Sequence, residues 1–237
     1  MAFRDRLLAT IRAASSVLEA PGVLIVGSEA PNLLEAGAAA TLVVSQDLDV
    51  GVPVDRHAEV KRRLPGLLVG FRPSPDEPSV WTPRLSDLLE VNFVGMDPAL
   101  DPADAYALED DQLPLVVFGA LSLVAPGAEI ELAGTRVRLP RPAGLLLEKL
   151  VTDRTGEKGD RDLLVALGLL MTAGPADLDE LESAHGRLRS ELRHAVRSNL
   201  TLLSLIEPRA GMPDPRPWRH AVATLLRRLE TGDGGLA

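Results

Sequence analysis

The sequence predicts an α+β chain in which strands and helices alternate up to about residue 139 and helices alone fill 140–237. Three observations carry that prediction. Short apolar or alternating runs bounded by Gly and Pro recur through the first part. The pattern changes at Pro140, where those runs stop. Beyond it apolar positions such as Leu178, Leu181, Leu188, Leu192 and Val196 return at helical spacing.

Taken in order, Phe3, Leu7, Leu8, Ile11, Ala14, Val17 and Leu18 form an amphipathic stripe that predicts a first helix. The apolar run Val23-Leu24-Ile25-Val26 predicts a strand that stops at Gly27-Ser28 and passes through Pro31 into a brief helix ending near Gly37. A second strand is expected over 41–54, then a helix over 55–64, an extended piece over 67–71 and a Pro- and Ser-rich loop over 72–78. Residues 87–94 alternate as a strand in which Glu90 and Asn92 face opposite to Val91 and Phe93. The stretch 97–111 holds six acids and no Lys or Arg, and predicts a solvated acidic loop with some helix. An extended segment over 115–124 follows, then a hairpin of 129–132 and 136–139 around Ala133-Gly134-Thr135. Helices are expected over 142–153, 160–171, 175–206 and 217–230, which divides the chain into domains 1–139 and 140–237.

Composition narrows the chemistry. With 237 residues and 46% hydrophobic content the chain is large enough to bury a core. It has no cysteine, so thiolate nucleophiles, disulfides and cysteine zinc sites are absent, a reducing cytoplasm is the expected setting, and any metal must sit on oxygen or imidazole. The four histidines show no metal-ligand spacing or triad partner. A net charge of -9 argues against broad duplex DNA binding. No segment has the unbroken apolar length of a membrane span, and the start shows no export signal. Nine arginines against five acids between Leu181 and Glu230 make that stretch locally basic, read first as solvated helix faces and second as a docking surface for RNA or nucleotide.

The pair Asp47 and Asp49 carries the most chemical information. Residues i and i+2 of a strand share a face about 7 Å apart, so two carboxylates point one way while Leu48, Val50 and Val52 point into a core. Such a pair suits a hard divalent cation and the phosphate groups it binds. Gly27-Ser28 at a strand-to-helix turn, Asp47-Leu48-Asp49 on the next strand and Glu90 on a later one together resemble the nucleotidyltransferase superfamily typified by polymerase beta. Ser45 stands where such sequences often carry Thr or Ser. Residues 137–142, then Leu146-Leu147-Glu148-Lys149-Leu150, Arg154 and 158–163 look like the hairpin, helical Lys and downstream Arg-Asp segment of bacterial AbiEii-like transferases.

The resemblance implies a small mixed β-sheet catalytic domain followed by a helical bundle, and a Mg²⁺-dependent transfer of a nucleoside monophosphate from an NTP to a hydroxyl of RNA, protein or a small molecule. Asp47, Asp49 and Glu90 would be the metal-holding and catalytic acids, and Gly27, Ser28 and Lys149 the nucleotide contacts. Three positions depart from the pattern: Glu29 sets a negative charge after the turn that repels a triphosphate unless the side chain turns away or meets metal, Val43 replaces an Arg common in relatives, and Val165 replaces an Asp. Those departures support a rival reading, a transferase-like scaffold without catalysis that binds a partner protein through 97–111 or the long C-terminal helix. An RNA-binding accessory role ranks third, because aromatic residues are only 3% of the chain and offer no stacking platform.

Overall fold

A computed structural model describes residues 3–34, 47–152, 157–208 and 214–233. The chain forms two compact units, one from Met1–Ala30 with Val44–Pro140 and the other from Pro31–Val43 with Arg141–Ala237. Among the described residues no helix is long and apolar enough to cross a membrane.

The first unit is built on a mixed sheet. Its centre is β2 (Asp47–Pro53), parallel to β5 (Glu90–Met96) over the whole length of both. On the far side of β2 lies the two-residue β1 (Leu24–Ile25), antiparallel, with Leu24 opposite Gly51. Antiparallel β4 (Val80–Pro83) pairs with the start of β5, and β3 (Phe71–Pro73) pairs with β4 at the sheet edge. β7 (Leu115–Phe118) runs parallel to the far end of β5, and β6 (Ala105–Leu108) pairs antiparallel with β7. The strands alternate as their sequences require. Leu48, Val50, Val52, Val91 and Phe93 are fully buried on one face. The other face is polar where β2 and β5 begin and apolar where they end, with Leu24, Val26, Met96 and Leu121 in one cluster.

Helices α1 (Phe3–Ala13) and α2 (Ser15–Leu18) brace this sheet. Thr10, fully buried, accepts the Leu89 backbone N–H at 2.8 Å, and Arg6 donates to the Leu88 carbonyl at 2.8 Å, so α1 fixes the chain just before Glu90. The hairpin of β8 (Pro126–Leu132) and β9 (Thr135–Pro140) turns through Ala133 and Gly134, both at positive φ, as a two-residue turn matched to strand twist.

Several expectations change. The segment 67–71 belongs mostly to a 3₁₀ helix, Leu64–Val69, which Pro65 helps start. The 72–78 loop begins inside β3, and β4 was not anticipated, because prolines that exclude a central strand are tolerated at a sheet edge and at strand ends. The acidic stretch 97–111 contains β6 and no helix; three of its four strand residues are exposed, so the alternation that reveals a half-buried strand is missing. Only 115–118 of the extended run is strand, followed by the 3₁₀ helix Gly119–Leu123. The strand expected over 41–54 is described from Asp47 on, and Val43 and Ser45 lie outside the described residues.

The second unit is helical. In α5 (Pro142–Val151) every residue from Ala143 to Val151 is buried, and this helix packs against α6 (Glu157–Thr172), α7 (Pro175–Gly186) and α8 (Ser190–Leu205). α9 (Arg219–Asp233) packs against α7 and α8. The single helix expected over 175–206 is two helices. A continuous one would run about 48 Å. Instead Leu188 N–H closes on the His185 carbonyl at 3.0 Å after Gly186, Leu188 turns inward, and both halves reach α5.

Candidate functional site

The polar end of the sheet face gathers the acids that the sequence singled out. Asp47 and Asp49 project from the same face of β2 and are half-buried. In the β2–β5 register Asp47 stands opposite Glu90 and Asp49 opposite Asn92, and register partners in neighbouring strands, about 4.8 Å apart, share a face. Glu90 is solvent-exposed and Asn92 half-buried. The Asn92 side-chain amide donates to Asp49 Oδ1 at 3.0 Å and fixes that carboxylate's rotation.

The turn Gly27-Ser28 enters from β1. Val26 N–H donates to the Asp49 carbonyl at 3.0 Å, after which the chain leaves the sheet and turns, Ala30 N–H closing on the Gly27 carbonyl at 3.1 Å. With no side chain, Gly27 lets the turn pass close over the Glu29 and Asp49 carboxylates. A Cβ there would meet Asp49 Oδ2 and lie 2.5 Å from both carboxylate oxygens of Glu29. Ser28 is half-buried at the crown of the turn.

Glu29 is the residue whose direction the sequence leaves open. Of the two options, facing the phosphate or turning away, it takes the second: its side chain is fully buried and folds back under the turn toward β2. Oε1 accepts the Asp49 backbone N–H at 2.9 Å, whereas Oε2, equally buried, has no hydrogen-bond partner. Burial first, and then the charges of Asp49 and Asp47, push the Glu29 carboxyl well above the ordinary glutamate range. An unsatisfied buried oxygen of this kind costs about 1–3 kcal/mol. The signal available in the sequence was an acid two residues past a glycine that must lie close to a strand bearing two more acids.

Lys149 lies in α5, in the second unit, with 8% of its surface exposed. Its Nζ is 2.8 Å from Glu148 Oε2 and 3.9 Å from Asp162 Oδ1. Arg154 lies outside the described residues, and 158–161 fall on the backbone of α6.

Among the described residues no group of three or more His, Asp or Glu side chains is placed so that it could hold a metal ion. Asp47 and Asp49 are oxygen donors of the type that hard divalent cations take, with no sulfur or imidazole beside them in β2.

No family model matches the chain, and no curated protein matches it in sequence. Among solved structures it is similar to an antigenic nucleotidyltransferase-like protein from Paracoccidioides brasiliensis, with 16% identity and a TM-score of 0.51 over 94% of this chain and 93% of that one. At that identity the likeness is one of fold. The chain has a nucleotidyltransferase-like fold, a mixed sheet with flanking helices followed by a helical C-terminal part.

Proposed function

We propose that the chain is a nucleotidyltransferase that uses Mg²⁺ to transfer a nucleoside monophosphate from an NTP to a hydroxyl acceptor. The observation that carries this reading is the register of β2 and β5, which sets Glu90 opposite Asp47 on the face that bears Asp49, next to the glycine turn. Asp47 and Asp49 hold the cation, which when bound offsets charge on the phosphates. The Gly27-Ser28 backbone and the Ser28 hydroxyl contact phosphate oxygens. Glu90, exposed to solvent, accepts the proton of the attacking hydroxyl. A new bond forms between that oxygen and the α-phosphorus, the bond to the bridging oxygen breaks, and pyrophosphate leaves with its electron pair. Asn92 keeps Asp49 in its metal-facing rotamer.

Lys149, which the resemblance implies as a phosphate contact, has its Nζ 2.8 Å from Glu148 Oε2. The segments 137–142 and 146–150 support an AbiEii-like subgroup, and the absence of cysteine supports a cytoplasmic setting. RNA, a protein side chain or a small molecule can each supply the acceptor hydroxyl.

Asp47→Asn and Asp49→Asn test the reading. Each should fold and lose at least a hundredfold in turnover, as expected when a charge-stabilising group is removed; wild-type turnover in either folded variant refutes it. The rival reading, a catalytically silent protein-binding scaffold, draws on the Glu29 carboxylate packed under the turn where phosphate would approach. Calorimetry with ATP, GTP, CTP and UTP plus Mg²⁺ separates the two, since the scaffold binds none of them.

A further inference from the structure

Among the described strands β6 (Ala105–Leu108) pairs with β7 alone, so its other side is an open edge of the sheet. The Gly119 N–H donates to the Asp104 carbonyl at 2.7 Å. Because backbone groups alternate in direction along a strand, Tyr106 and Leu108 turn theirs toward β7, and Ala105 and Ala107 turn theirs outward. The ribbon also has an apolar face open to solvent. Ala105 stands opposite Phe118 and Ala107 opposite Val116, and Phe118 and Val116 are 44% and 47% exposed. Both alanines are exposed as well, so the face is a low shelf beside a raised phenylalanine and valine. Natural edge strands are often guarded by a charged side chain or a proline, and β6 has neither. Its charges sit at the two ends. Asp104 precedes it and Glu109 and Asp111 follow it, all exposed and none paired with a described Lys or Arg, whereas Asp110 is held by Lys61 at 2.6 Å.

We infer that the open edge of β6 docks a basic, extended segment of a partner protein, which joins the sheet as a further strand. Main-chain hydrogen bonds to the outward groups of Ala105 and Ala107 hold it, and its apolar side chains at alternate positions pack over the alanines against Val116 and Phe118. Its Lys or Arg side chains meet Asp104, Glu109 and Asp111. Charge selects this occupant over a second copy of the chain. Two β6 strands laid antiparallel edge to edge, Ala105 of each opposite Ala107 of the other, set Asp104 of each one residue from Glu109 of the other, and like charges so placed repel. The inference uses none of the residues assigned to nucleotide transfer and is independent of that reading.

The test is calorimetry of the full chain with a synthetic peptide, about eight residues long, that alternates lysine and valine. It should bind the wild type. A peptide alternating glutamate and valine should bind at least tenfold more weakly, and so should one alternating lysine and proline, which has the same charge but lacks an N–H at every second position. Ala107→Pro removes one outward N–H, leaves the ladder to β7 intact, and should weaken binding of the lysine–valine peptide at least tenfold. The double variant Asp104→Asn, Glu109→Gln should do the same. No binding by the folded wild type, equal binding of either control peptide, or wild-type affinity in either variant overturns the inference. Should Ala107→Pro fail to fold, the double variant, changed only at exposed side chains, decides alone. Wild-type dimers that Ala107→Pro dissociates in sedimentation assign the edge to a second copy and overturn the basic partner.

Discussion

Replacing Glu29 by glutamine should make the metal-free protein more stable at neutral pH and flatten its pH dependence. Burial and the neighbouring Asp49 and Asp47 raise the Glu29 carboxyl above its ordinary value of 4.5, so the folded chain keeps a proton that the unfolded chain releases. The sign follows from linkage. Below about pH 4.5 both states are protonated and the contribution is complete; above it the unfolded state ionises first, and stability falls as pH rises until the folded carboxyl ionises too. One proton corresponds to a slope of about 1.4 kcal/mol per pH unit inside that window. Glutamine carries no titrating proton, keeps an oxygen for the Asp49 N–H, and holds an amide donor near Asp49 Oδ2 at every pH, where the glutamate has a donor only while protonated. Urea unfolding at a series of pH values in EDTA, wild type against Glu29→Gln, measures the difference directly. A stability difference that stays constant between about pH 4.5 and pH 7 refutes the burial argument.

Three further outcomes are expected. Thr10→Val leaves the Leu89 N–H without its buried acceptor and should cost about 1–3 kcal/mol in denaturant unfolding, with the loss confined to stability. Gly27→Ala drives a methyl group into the Glu29 and Asp49 carboxylates and should lower stability by about 1–3 kcal/mol, an effect that Glu29→Ala in the same chain partly relieves in a double-mutant cycle. Asn92→Val releases Asp49 Oδ1; on the proposed role of Asp49 as a cation holder it should lower turnover at least tenfold and weaken Mn²⁺ binding in a folded protein.

What the sequence made legible follows from which residues have one structural option. Asp47 to Val52 alternates strictly, and only a strand with one buried face satisfies it; β2 is that strand. The β8–β9 hairpin was readable because its strands alternate around a short turn containing glycine. Three short strands were not readable. β3 and β4 carry Pro73 and Pro83, and β6 is three-quarters exposed, so none bears the periodicity by which a strand is recognised. The break between α7 and α8 is signalled by Gly186, yet the apolar spacing on either side continues as if the helix were whole. At the site, the placement of Asp47, Asp49 and Glu90 on one face followed from periodicity and register. The inward turn of Glu29 did not, since it depends on how close the Gly27 backbone comes to β2, and no local pattern encodes that distance.

Helix α5 has a consequence for how the chain is made. Nine consecutive residues from Ala143 to Val151 are shielded in the finished protein, and partners of that helix, α6, α7 and α8, are encoded after it. At about 5–20 residues per second, the ribosome needs roughly 3–11 s to go from Val151 to Leu205. Through that interval the apolar nonapeptide has the charges of Glu148 and Lys149 alone among its own side chains. A chain that ends after Gly186 lacks α8, so part of the cover of α5 is missing and apolar side chains that the full chain buries are left open.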